Sequence, residues 1–467
     1  MKVLWFVPPA EAGGFPNIGQ YRFYKKMLVR ASIIYPYLSA MGITQLYNRE
    51  FDVQFLDCPT MELNWASPEL DALDEAELIL MEARTPIINY IYRVSDELRA
   101  SVDAKVALFG DHVTWDADTA LMHADYIILG GDYDYGALQL ADALKYRRHI
   151  SPKFNAGLVD HLDSLPFVNR EIVPYDLYYE SWRNRKTFVW TMSGRGCLYN
   201  CTFCAWIRTL WNNKFRLRTP ENVAMEFDMI HDELGDCEIL DDNDLFDTTW
   251  GAKFAQKLID MGYKHKEILW ACQTHPNMIN NLENLKLMRR SGLRTVKLGV
   301  ESGNQETLDR MCKKTTVRQI ETAVHLLQEA NIAVHANLMV GWPWETKQQA
   351  YHTIEWIKKL QPNQAQFSLI IPYPNTALYD EARANGWLRV GDTDWDDYTA
   401  AKPMMTMKDM MPEEVVKLYK DCWKQFYLDP QYIIKHIFAV RHWTGVKQLW
   451  NGFRSVYFGH MRAIDDE

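Results

Sequence analysis

The chain has 467 residues, with 51 lysines and arginines against 61 aspartates and glutamates, a net charge of −10. That length is enough for two to four domains at roughly 100–200 residues each, and the acidic balance argues against a nucleic-acid partner, whose surface should be basic. No apolar run approaches the roughly 20 residues that span a bilayer, and the apolar start of the chain runs into Pro8-Pro9 and not into a small-residue cleavage site, so a cytoplasmic protein without a membrane span is expected.

Residues 1–148 alternate short apolar segments with helical patterns. Strands are predicted at 2–7, 52–57, 77–82, 105–109 and 126–129, and helices at 87–100 and 137–145. Strands that alternate with helices imply a doubly wound parallel sheet, which binds ligands beyond the carboxyl ends of its strands. Those ends carry Pro9, Arg84 and Thr85, then Gly110, Asp111, His112 and Thr114, then Gly130, Gly131 and Asp132. Residues 149–186 contain Pro152, Pro166 and Pro174, which break helices, and read as a linker.

Residues 187–375 alternate again. Strands are predicted at 188–192, 238–240, 268–271, 295–300, 333–340 and 366–371, and helices at 220–233, 251–261, 282–291, 317–330 and 347–360. Six β/α units without a seventh predict a partial barrel, with its chemistry at the carboxyl ends of the strands. Residues 376–467 read as mainly helical. For the aromatic, mildly basic tail 432–462, two readings stand: a packing helix, or a helix for a partner or a membrane surface.

Eight cysteines occur, and three of them fall close together. Cys197, Cys201 and Cys204 form C-x3-C-x2-C on a loop directly after the strand at 188–192. Thiolates are the usual ligands of iron–sulfur clusters. Three of them hold three irons of a cubane and leave the fourth open. A closed zinc site wants a fourth ligand, which a distant residue would have to supply; that alternative stays open.

This motif, with Phe203 before the last cysteine, resembles the radical S-adenosylmethionine superfamily. The resemblance implies a 4Fe-4S cluster on Cys197, Cys201 and Cys204, whose open iron binds S-adenosylmethionine, and an external one-electron reductant of ferredoxin or flavodoxin type. Further segments follow in the family's order. Asp241 and Asp242 end the second strand, and Gln273 ends the third. Glu301 and Ser302 end the fourth, and Gly341 and Glu345 end the fifth. By resemblance the segments on the second, fourth and fifth strands contact S-adenosylmethionine, and Gln273 is placed with them because it points at the same mouth. His275 reads either as a substrate or proton group or as a structural histidine. Trp206, Trp211, Trp342 and Trp344 read equally as substrate walls or as packing.

A doubly wound domain ahead of such a barrel resembles the cobalamin-binding subclass, and the strand-end residues Pro9 to Asp132 named above would then hold cobalamin. The chain lacks the Asp-x-His-x-x-Gly that ligates cobalt from below in domains of methionine-synthase type, so base-off binding without a lower histidine is expected. A domain that has lost its cofactor is the alternative. The resemblance implies a cobalamin-dependent methyltransferase acting on an unactivated carbon of a small molecule, or a radical cyclase with the same cofactors, as in tetrapyrrole biosynthesis.

Overall fold

The computed structural model describes residues 1–9, 33–180, 182–263, 268–389, 391, 394–398 and 402–439. Its first sheet has six parallel strands: β1 (Lys2–Val7), β2 (Asp52–Asp57), β3 (Leu78–Glu82), β4 (Lys105–Phe109), β5 (Tyr126–Leu129) and β6 (Lys153–Asn155). Their spatial order is β2-β1-β3-β4-β5-β6. Along β1, alternate residues serve two different cores. Val3 and Trp5 pack with the helices Tyr37–Asn48 and Tyr133–Lys145, while Leu4 and Phe6 pack with Ile88–Ser101. Burial on both faces is why these strands read as unbroken apolar runs. The order reverses between β1 and β3, so the binding crevice of a doubly wound sheet opens past Val7 and Glu82.

The second sheet has β7 (Phe188–Thr191), β10 (Cys237–Asp241), β11 (Ile268–Thr274), β12 (Leu293–Glu301), β13 (Ala333–Val340) and β14 (Gln364–Leu369), while β8 (Gly194–Arg195) and β9 (Arg216–Leu217) form a small antiparallel pair between β7 and β10 in the chain. The six long strands are parallel, and their order in space follows their order in the chain, the signature of a curled partial barrel. Val296, Leu298 and Val300 on β12 and Val334, Ala336 and Leu338 on β13 face outward into one core under the helices. The alternate residues of the same strands face the lumen.

The two halves interlock beyond what the sequence suggested. The segment read as a linker supplies β6, and its Tyr178 hydroxyl donates to Asp57 at 2.7 Å. Its Arg170 pairs with Glu226 of the barrel at 3.1 Å. The C-terminal region is distributed over both halves. Helix Pro412–Tyr427 buries Val415, Leu418 and Phe426 in the barrel's outer core, whereas Trp395, Tyr398 and Met404 join the core of the first sheet. The tail beyond residue 439 lies outside the described residues. Among the described residues, no helix is long and apolar enough to cross a membrane.

Candidate active site between the two sheets

The cysteine loop leaves β7 through Gly196, whose φ is +89° and where a Cβ would stand 1.9 Å from the Lys214 carbonyl oxygen. Only glycine fits that approach. The Thr202 amide donates to the Met311 carbonyl at 3.0 Å, and the Thr202 carbonyl accepts from the Leu378 amide at 2.9 Å. The loop is thereby tied to the turn after β12 and to the C-terminal region. That turn delivers Lys313, whose ammonium reaches Glu301 at 2.8 Å. Burial works against the charge on Lys313, but Glu301 and the nearby thiols of Cys201 and Cys197 outweigh it and hold the lysine in its charged form. Burial pushes the thiol of Cys197 up to about 11 and that of Cys204 up to about 12.

Among the described residues, no three His, Cys, Asp or Glu side chains converge closely enough to hold a single metal ion. A cubane takes each thiolate through a different iron. The donor set, three thiols with a buried cation behind them, fits the cluster. Cys312, outside the C-x3-C-x2-C motif, stands close enough to Cys201 to raise its pKa.

The acidic strand ends divide by role. Asp241 is committed to the protein, accepting from the Ser193 amide at 2.9 Å and the Asn243 amide at 3.3 Å. Asp242 accepts from Gln273 at 3.2 Å, and burial pushes its carboxyl up to about 7. Asp244, absent from the sequence expectations, holds the Gly196 amide at 3.0 Å; the signal was its place in an Asp-Asp-Asn-Asp run. Glu301 has φ +66°, left-handed for a non-glycine residue. Ser302 and Glu345, read from separate strand ends, meet at 3.4 Å, and Thr307 donates to the same carboxylate oxygen at 3.2 Å. Burial pushes Glu345 up to about 7. Gly341 takes φ +94° at the end of β13, and Phe203 packs edge-on against Trp342.

His275 takes the structural reading. Its Nε2 meets the Lys313 carbonyl at 2.8 Å, its Nδ1 accepts from the Asn277 amide at 3.2 Å, and its ring stacks on Tyr199. Of the four tryptophans, Trp211 and Trp342 are buried and Trp344 stacks on Trp342. Trp206 is exposed.

The strand ends of the first sheet face this loop. Helix Ala205–Thr209 starts immediately after Cys204. Its last carbonyl lies 3.0 Å from where a Cβ on Gly130 would be, and the Arg84 guanidinium sits 5.6 Å from the Trp206 ring centroid. Thr114 knits two of the loops, donating to the Gly110 carbonyl at 2.8 Å and accepting from the Gly130 amide at 2.9 Å. The Pro9 carbonyl accepts from the Tyr90 hydroxyl. Arg84 pairs with Glu82 at 2.9 Å. Asp111 caps its own loop through the His112 amide at 2.9 Å, and burial pushes its carboxyl up to about 6.

Two expected ligand residues are used by the protein itself. His112 is 1% exposed, bonded to Thr85 at 3.2 Å and enclosed by Trp115, Trp395 and Tyr92. Asp132 is fully buried between Arg216, at 2.7 Å, and Arg195, at 2.8 Å. Gly131, at φ +65°, passes 2.1 Å, measured from a hypothetical Cβ, from the Gly157 carbonyl. It serves a backbone crossing. Arg195 also forks onto Asp134 with two bonds of 2.9 Å. Two aspartates of the first domain and two arginines from β8 and β9 thus form a balanced buried network between the halves. Burial opposes ionisation of Asp132, but the hydrogen bonds and charges of Arg216 and Arg195 outweigh it and hold the carboxyl below its usual range.

Comparison with known proteins agrees with this geometry. Residues 191–357 match the model of the radical SAM superfamily. An uncharacterized methyltransferase of Pyrococcus horikoshii is 26% identical over 98% of this chain and 99% of its own. The bacteriochlorophyllide d C-12(1)-methyltransferase of Chlorobaculum tepidum is 23% identical over 85% of each chain. The anaerobic magnesium-protoporphyrin IX monomethyl ester cyclase of Cereibacter sphaeroides is 26% identical over 74% of this chain and 59% of its own. Among solved structures, the cobalamin-dependent radical enzyme OxsB superimposes with a TM-score of 0.68 at 12% identity, over 98% of this chain and 71% of that one. The methyltransferase TsrM of Kitasatospora setae gives a TM-score of 0.63 at 17% identity, over 84% and 77%. Residues 191–357 are thus similar to the radical SAM superfamily, and the chain shares its fold with OxsB and TsrM.

Proposed function

We propose that this chain is a cobalamin-dependent radical S-adenosylmethionine enzyme that transfers a methyl group to an unactivated carbon of a small molecule. The apposition of the two strand-end edges carries the reading: helix Ala205–Thr209 joins the third cysteine directly to the Gly130 loop. A ligand in the crevice of the first sheet would then share one chamber with a cluster on Cys197, Cys201 and Cys204. When bound, the cluster and S-adenosylmethionine would supply a hydrogen-abstracting carbon radical and the cobalamin would supply the methyl group.

The chain's own residues divide the remaining work. Cys197, Cys201 and Cys204 would hold three irons, with Lys313 offsetting part of the thiolate charge. Phe203, Asp242, Gln273, Glu301, Ser302, Gly341 and Glu345 would seat S-adenosylmethionine. Pro9, Arg84, Thr85, Gly110, Asp111, Thr114 and Gly130 would receive cobalamin. The enclosure of His112 supports base-off binding. Trp206 and Arg84, 5.6 Å apart, would line the passage between the two ligands.

Methyltransferases among the relatives support methyl transfer. The cyclase relative supports ring formation with the same cofactors as a second reading. Anaerobic reconstitution with iron, sulfide and hydroxocobalamin tests the proposal. About four irons and one cobalt per chain are expected, and a product heavier by one methyl group distinguishes transfer from cyclisation. Iron without retained cobalt would overturn the cobalamin reading.

A further inference from the structure

The partial barrel has an interior layer made of polar side chains. On β11 to β14, Gln273 pairs in register with Lys297, Lys297 with His335, and His335 with Gln364. Their neighbours Cys272, Val296, Val334 and Ala365 face the outer core, so these four face the lumen. Packed barrels fill such layers with Val, Ile and Leu. One step nearer the mouth, Asn337 pairs with Gly299.

Several of these groups lack partners. His335 is 7% exposed, and among the described residues neither of its ring nitrogens has a hydrogen-bond partner. Gln364 and Gln366 lie close enough to influence the ring without reaching it in bonding geometry. Asn337 Oδ1 and Glu180 Oε1 are likewise buried without a bond. Glu180 enters the lumen from the segment ahead of β7, where it stands 3.8 Å from the Lys297 ammonium, a charge contact too long for a hydrogen bond. The Trp182 ring closes one wall, 6.1 Å from His335 and 5.9 Å from the lysine. Buried polar groups in folded proteins are satisfied, and clustered exceptions call for an explanation.

The orphans are mostly acceptors: the Glu180 carboxylate, the Asn337 carbonyl and one nitrogen of a neutral imidazole. Burial keeps that imidazole neutral, lowering it to about 3. A ligand that repays them must bring donors. A carboxylate-bearing ligand would meet the Glu180 carboxylate, which already faces the Lys297 ammonium at 3.8 Å. A hydrocarbon would leave every orphan unpaid.

We propose that this layer is the recognition floor of the substrate site and that it takes a small molecule bearing hydroxyl or amino groups, whose donors bind Glu180, His335 and Asn337. This rests on the enzyme reading above, and it adds the substrate's chemical class. By the strand rise of about 3.3 Å per residue, Lys297 lies about 13 Å down β12 from Glu301, while on β11 the layer climbs to the mouth, where Gln273 donates to Asp242 at 3.2 Å. A substrate anchored at Glu180 and His335 presents its far end to the cofactor mouth.

The test uses the full chain, reconstituted with its cluster and left unreduced, in saturation-transfer NMR. The probes are myo-inositol (hydroxyls), glucosamine (hydroxyls and an amine), succinate (acceptors only) and camphor (an apolar cage). Inositol and glucosamine are expected to bind in the millimolar range of a fragment. His335→Phe and Glu180→Gln each weaken that binding about tenfold or more, and His335→Gln, which keeps a donor and an acceptor, restores part of it. Preference for succinate or camphor, no binding by inositol or glucosamine, or binding indifferent to both substitutions overturns the proposal. Iron content and deoxyadenosine release, measured on the same wild-type preparation, report on the enzyme reading separately. A protein that assembles no cluster sinks that reading whatever the probes do.

Discussion

Asp132→Asn tests whether the buried ion network holds the two halves together. The side chains of Asp132, Arg195 and Arg216 are 0%, 3% and 9% exposed. The wild-type charges balance, two aspartates against two arginines. The amide keeps the volume and leaves a net positive charge in the interface. Removing one partner from a buried pair costs about 3–5 kcal/mol, and at about 1.4 kcal/mol per tenfold that is a hundredfold or larger change in the opening equilibrium. Hydrogen exchange read by mass spectrometry should show the β8–β9 pair exchanging faster by about that factor, while the central strand β3 changes far less. The double replacement Asp132→Leu with Arg216→Met leaves Arg195 paired with Asp134 and should recover most of the loss, because apolar pairs often match buried ion pairs. Asp132 adds stability above its unfolded pKa that is lost as pH falls through its lower folded pKa, so the wild-type advantage should shrink under acid. A stability change for Asp132→Asn within about 0.5 kcal/mol, the range of ordinary surface substitutions, would refute the reasoning.

Three other outcomes follow from the site. Cys201→Ala should lose the iron and its absorption band, whereas Cys312→Ser should keep both; loss in the second variant would make Cys312 a ligand. Gly196→Ala forces a Cβ to within 1.9 Å of the Lys214 carbonyl, so cluster assembly should fail while circular dichroism shows both sheets retained. The pKa of Glu345 is raised to about 7 by burial, so the folded state holds a proton that the unfolded chain releases, and stability falls as pH rises from the unfolded value to about 7. Glu345→Gln removes that slope and should gain on wild type by up to about 3 kcal/mol between pH 5 and 8 in urea melts.

The strands of both sheets were legible because burial on both faces leaves long apolar runs, and the cysteine loop was legible because its spacing is itself chemistry. The rest hid for local reasons. β6 offers one apolar residue, Phe154, at a sheet edge. β8 and β9 are two residues long, too short for any period. Each member of the Asp132–Arg195–Arg216 network reads alone as a solvated charge, and only the fold brings residues some 60 to 80 positions apart into contact. Lys297 and His335 belong to no motif, and their alternation with apolar neighbours is that of any half-wet strand. The signal was there: in a parallel sheet covered on both sides, a polar residue at every second position has no water to face.

Helix Ala205–Thr209 is five residues long, about 7.5 Å of rise. It behaves as a ruler between two workplaces, one end fixed by the last cysteine and the other by the Gly130 loop. One inserted residue would lengthen it by about 1.5 Å and turn its far end by about 100°, carrying Trp206 away from Arg84. A substitution on its surface does neither. The number of residues in this segment should therefore be guarded more strictly across descendants of this gene than their identities, and drift in its length would mark lineages that have abandoned the shared chamber.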